Sequence, residues 1–122
     1  MAPTDQAQNY SRAQLKQKGI QLYREKKYED ALAMFDAALI GEPILDILDN
    51  RAATLTRLRR FDLALKDGRD MCKIFPDNVG AYVRTGRILE LMHKDDVALK
   101  IYQRGIHRLP QDKVHGQGVL LT

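Results

Sequence analysis

The chain has 122 residues, 44% of them hydrophobic, 30% charged and 7% aromatic, with eight Gly, four Pro and no Trp. That size and mix exclude two ordinary domains, wholesale disorder and a collagen-like chain, and favour a single amphipathic, helix-rich domain. Twenty basic residues against 16 acidic ones give a net charge of +4, but the signs are interspersed, so the surplus favours acidic partners in general and supplies no basic tail for nucleic acid.

Residues 1–11 read as an N-terminal arm. The first six lack both a basic n-region and an apolar h-region, so no secretory signal is expected. The first helix follows: Leu15, Gly19 and Leu22 stand at i, i+4 and i+7, one face of a helix. Ser11 with Gln14 three residues on fits a capping box at its start. Glu25, Lys26 and Lys27 make a polar turn, after which Ala31, Leu32, Phe35, Ala38 and Leu39 mark the inner face of a second helix. Pro43 discourages its continuation.

The same unit then recurs twice. Pro43, Pro76 and Pro110 are separated by 33 and then 34 residues, and so are Ala31, Ala64 and Ala98. Gly19, Ala52 and Gly86 share that register, as do Leu22, Leu55 and Leu89, and Leu15, Leu48 and Tyr82. Phe35, Gly68 and Tyr102 form a further column, and Ala38, Met71 and Gly105 another. Each unit is therefore helix, turn, helix, closed by a proline. Small residues in the Gly19 and Ala31 columns let the two helices of a hairpin approach closely, and the larger Leu, Tyr and Phe residues are expected between one hairpin and the next. Gly68, where an aromatic is expected, leaves a gap for Met71 or Cys72 to fill.

The order of large apolar, Gly or Ala, Leu, Ala, aromatic, Ala and Pro over about 34 residues resembles the tetratricopeptide repeat (TPR). The resemblance covers residues 12–110, as repeats at 12–44, 45–78 and 79–112. It implies an all-α fold of three helix-turn-helix hairpins stacked as a short right-handed superhelix. It also implies a protein-interaction module whose concave face, lined by the first helix of each hairpin, cradles a partner's peptide or helix. The residues expected on that face are Lys16, Ile20, Tyr23 and Arg24, then Asp49, Asn50, Ala53 and Arg57, then Arg84, Arg87 and Glu90. Bases outnumber acids there, so Lys16, Arg24, Arg57, Arg84 and Arg87 would draw acidic side chains or a C-terminal carboxylate.

One TPR subclass holds the acidic C-termini of cytosolic heat-shock chaperones in a two-carboxylate clamp. Lys16, Asn50 and Arg84 match three of its five positions, while Ile20 replaces an Asn and Gly80 a Lys, so that reading is secondary. The segments Arg51-Ala52-Ala53-Thr54, Asp67-Gly68-Arg69-Asp70-Met71 and Gly86-Arg87-Ile88-Leu89 also resemble the N-terminal TPR segment of fungal F-box/leucine-rich-repeat ubiquitin-ligase adaptors. The chain carries neither an F-box nor leucine-rich repeats, so an adaptor role would belong to a longer protein or a partner.

The remaining residues offer no constellation for catalysis. His93, His107 and His115 form no i, i+4 pair and join no cysteine cluster, so no metal or other cofactor is expected. Cys72, the sole cysteine, cannot form an internal disulfide and suits a reducing, intracellular setting in cytoplasm or nucleus. It adjoins the Met71 column and reads as packing rather than as a nucleophile. Asp95 and Asp96 complement a helix start. No stretch approaches the roughly 18 apolar residues of a membrane span. Nucleic acid is the competing partner, disfavoured because Asp and Glu on the same helices repel phosphates. The tail at 111–122 holds Gly116 and Gly118 and gives a weak cap or none. An uncapped apolar C-terminal end would favour self-association.

Overall fold

The computed structural model describes residues 9–109. Six helices follow one another: α1 Arg12–Arg24, α2 Tyr28–Ala38, α3 Leu45–Arg57, α4 Phe61–Ile74, α5 Val79–Leu91 and α6 Asp95–His107. No strand occurs among the described residues, so the fold is an all-α helical repeat. The molecule divides into two compact units between Asp67 and Gly68, within α4.

The helix ends show why the chain starts and stops where it does. Ser11 accepts the Gln14 backbone N–H while the Gln14 side chain accepts the Ser11 N–H at 2.8 Å, the reciprocal capping box expected from the sequence. Asn78 caps α5 in the simpler way, accepting the Ala81 N–H at 3.2 Å. Each helix-turn-helix hairpin turns through one left-handed residue: Lys26, Arg59 and His93, with φ of 62°, 59° and 61°. They share the 33- and 34-residue register of the other columns. None is glycine, so the residue type gives no sign of the left-handed backbone that each turn adopts.

In the first unit Leu15, Ala31, Met34, Phe35, Ala38 and Ile47 form one buried cluster from α1, α2 and α3. Arg12 fastens the α2–α3 loop by donating to the carbonyls of Ile40 (2.7 Å) and Glu42 (2.9 Å). Gly19 is buried because the Phe35 ring lies on it: a Cβ there would stand 2.5 Å from Phe35 Cε1. In the second unit Gly86 meets the Tyr102 ring in the same way, at 2.1 Å, and Gly105 faces Tyr82 Cβ at 2.8 Å. Phe35 and Tyr102 thus fill space inside their own hairpins, not between hairpins as the columns suggested. The gap expected beside Gly68 is occupied by Thr85 of α5, whose Oγ1 lies 2.5 Å from where a Cβ would stand, and not by Met71 or Cys72.

The arm at residues 1–8, Pro110 and the tail at 111–122, including His115 and the C-terminal end expected to self-associate, lie outside the described residues. No described helix is long and apolar enough to cross a membrane.

Candidate functional site

In the first unit the expected residues project from α1 and α3. Lys16 sits in the second turn of α1 with its side chain 29% exposed, and its Nζ donates to Asp46 Oδ2 in the first turn of α3. Ile20, one turn further, is half-buried and leans on the core cluster. It also borders an open cavity of about 480 Å³ on the flank of α1, lined by Tyr10, Gln14, Gln17, Lys18, Gln21 and Arg24. Tyr23 packs edge-on against Tyr28, ring centroids 5.3 Å apart. Its hydroxyl accepts from Arg57 Nε at 3.0 Å, and the Arg57 guanidinium carbon lies 6.0 Å from the Tyr23 ring centroid. This contact raises the Arg57 pKa, the hydrogen bond it donates to Tyr23 being the chief cause. Arg24 is exposed and makes no ion pair among the described residues. Asn50 is half-buried, its carbonyl accepting the Thr54 hydroxyl at 2.7 Å.

In the second unit Arg84 and Arg87 stand one turn apart on α5, the first half-buried and the second exposed. Gly80 is exposed in the first turn of the same helix, where the clamp pattern has a Lys. Tyr102 of α6 donates its hydroxyl to Glu90 and has its pKa pushed up to about 12, first by burial and then by that hydrogen bond, with Arg87 pulling the other way. Tyr82 is 4% exposed and its hydroxyl donates to the Pro76 carbonyl at 2.6 Å. It is core, as its repeat column implied.

A charged cluster escaped the sequence reading. Asp67 of α4, 2% exposed, takes two hydrogen bonds from Arg51 of α3, Nε to Oδ2 at 2.9 Å and Nη2 to Oδ1 at 2.7 Å. Arg51 Nη1 reaches Asp36 of α2 at 3.1 Å. The Asp67 hydrogen bonds raise the Arg51 pKa against the opposing pull of burial. A small cavity of about 220 Å³ adjoins the cluster, walled by Leu32, Leu55, Leu63 and Lys66. A signal did exist: Asp67 occupies the column of Met34 and Ile101, and a charge in an otherwise apolar column asks for a partner. Arg51 and Asp67 also belong to two of the segments that carry the F-box-protein resemblance, so those residues hold the fold together.

The Cys72 thiol is pushed up by burial, with a 3.5 Å contact to Thr85 Oγ1 and Arg104 opposing, the reverse of an activated nucleophile. Among the described residues no three His, Cys, Asp or Glu side chains gather where a metal would fit.

Scanned against protein-family models, the chain matches none. It is 32% identical over 94 residues to protein DIA2 of Eremothecium gossypii, covering 75% of this chain and 14% of that protein. It is 30% identical over 105 residues to Hsp70-Hsp90 organizing protein 2 of Arabidopsis thaliana, covering 85% of this chain and 18% of that one. The F-box/TPR repeat protein pof3 of Schizosaccharomyces pombe is 28% identical over 100 residues, 80% of this chain and 17% of that protein. The chain thus spans less than a fifth of each of these relatives. Among solved structures, the first TPR of Spaghetti (RPAP3) bound to the HSP90 peptide SRMEEVD superposes with a TM-score of 0.73 at 25% identity, covering 83% of this chain and 81% of that one.

Proposed function

The chain is a tetratricopeptide-repeat protein, and on that premise we propose that it binds an acidic segment of a partner protein on the faces of its first helices. Lys16, Ile20, Tyr23, Arg24, Asn50 and Arg57 are the proposed contacts in the first unit, and Arg84 and Arg87 those in the second. The supporting observation is the basic character of these faces in a fold whose solved neighbour holds an acidic HSP90 peptide. Arg24 and Arg57 are exposed at the ends of α1 and α3, and guanidinium forks receive carboxylates in two-point contact.

A heat-shock chaperone C-terminus is a ligand of this kind, and the similarity to Hsp70-Hsp90 organizing protein 2 supports it. The similarity to pof3 supports a second reading, in which the repeats are the docking segment of an F-box adaptor. On either reading the chain acts as a binding scaffold inside the cell, which the similarity to these proteins supports.

Fluorescence anisotropy with a labelled SRMEEVD peptide tests the reading. Arg24→Glu with Arg57→Glu, and separately Arg84→Glu with Arg87→Glu, should each weaken binding by about 10- to 100-fold, the loss of one or more charge-assisted hydrogen bonds. Helical circular dichroism should be unchanged. Full-strength binding by both variants would remove the assignment. The same titration with a labelled oligonucleotide should show no complex at low salt.

A further inference from the structure

We infer that Asp46 is an internal carboxylate that occupies Lys16, so that the first unit selects side-chain acids of its ligand and not a free C-terminal carboxylate. This rests on the acidic-segment reading above and says which acids that site takes.

Lys16 and Asp46 are 30 residues apart in sequence, and the packing of α1, α2 and α3 brings them into hydrogen-bond contact. Asp46 is the acidic residue of the first turn of α3, a helix whose N-cap, Ile44, supplies no side-chain acceptor. The partial positive charge of that helix end favours an anion there. The side chains are 29% and 55% exposed, so the pair stands at the surface of the site, where a ligand would arrive. An incoming carboxylate must displace one that is tethered to the same fold, present at an effective concentration of about millimolar or above. One turn along α1, Ile20 offers an apolar side chain and no donor for the second oxygen of a terminal carboxylate.

The opposite ends of the same helices differ. Arg24 makes no ion pair among the described residues. Arg57 uses Nε on the Tyr23 hydroxyl and makes no ion pair among the described residues. Positive charge therefore remains at the C-terminal ends of α1 and α3 and is neutralised at Lys16. The fitting ligand places an apolar side chain over Ile20 and acidic side chains toward Arg24 and Arg57.

The test compares SRMEEVD as free acid and as C-terminal amide against the whole chain and its Asp46→Asn variant. The unaltered protein should bind the two forms within about two-fold of each other. Asp46→Asn should tighten the free acid by about two- to five-fold, the range of an exposed ion pair, and leave the amide unchanged. A strong preference of the unaltered protein for the free acid, or an unchanged ratio in Asp46→Asn, overturns the inference. A ligand-free readout runs beside it: acylation of Lys16 by an amine-reactive ester, followed by mass spectrometry against exposed Lys26. Lys16 should react more slowly than Lys26 in the unaltered protein and recover in Asp46→Asn; equal rates in both proteins overturn the contact itself. If neither peptide binds either protein, the acidic-segment reading falls and the ligand selection with it, while the labelling still decides whether Asp46 shields Lys16.

Discussion

Replacing Asp67 by Ala removes the carboxylate that neutralises Arg51 inside the first unit. Two charge-assisted hydrogen bonds disappear, at 2.7 and 2.9 Å, and among the described residues the guanidinium keeps only Asp36, at 3.1 Å and 56% exposed. Breaking a buried pair by removing one partner costs about 3–5 kcal/mol. The Arg51 side chain is 24% exposed, so water reaches part of the orphaned charge, and we place the loss at about 2–3 kcal/mol. Asp67→Leu combined with Arg51→Leu removes both charges together. The column that holds Met34 and Ile101 already accepts apolar residues, so the double variant should lie within about 1 kcal/mol of the parent. Urea unfolding followed by ellipticity at 222 nm measures both, with m-values checked for a common two-state transition. A single-variant loss below about 1 kcal/mol, or a double variant as damaged as the single one, would refute the view that Arg51 is held by Asp67.

Three further outcomes follow from the packing and the titrating groups. Gly19→Ala pushes a methyl to 2.5 Å from a Phe35 ring that is 1% exposed; overpacking of about 1–3 kcal/mol exceeds the helix-propensity gain of about 1 kcal/mol, so thermal denaturation should show a lower Tm. Tyr102 should ionise near the value of about 12 to which its surroundings push it, and Tyr102→Phe should delete that component of an absorbance titration. Because its folded pKa lies above the ordinary 10.0, the stabilised form is the neutral phenol. Its contribution is complete below about pH 10 and fades as pH rises toward 12, so stability should fall less steeply over that range in Tyr102→Phe than in the parent. Cys72, half-buried with a raised pKa, should react with iodoacetamide at pH 8 more slowly than cysteine in a short peptide, and equally fast alkylation would contradict its burial.

The repeat was legible from the residues because it is local. Leu15, Gly19 and Leu22 lie within two turns of one helix, and Ser11 caps a backbone group three residues away. The 33- and 34-residue register multiplied that signal three times, so the six helices, their turns and the buried Ala31, Ala64 and Ala98 could be placed by periodicity alone. Spacing also decides which basic side chains share a helix face, while the choice of the first-helix faces as the binding surface came from the family resemblance.

Tertiary structure decided what those side chains touch. Lys16 and Asp46, Arg51 and Asp67, and Tyr23 and Arg57 are separated by 30, 16 and 34 residues, and no helical period relates the members of such pairs. Their meeting depends on how far one helix slides and turns against the next, which is set by packing: a Phe35 ring seated on Gly19, a Tyr102 ring on Gly86. A basic residue read from sequence is a charge of unknown partner. Only the packed helices show that Lys16 is already answered by a carboxylate while Arg24 is not.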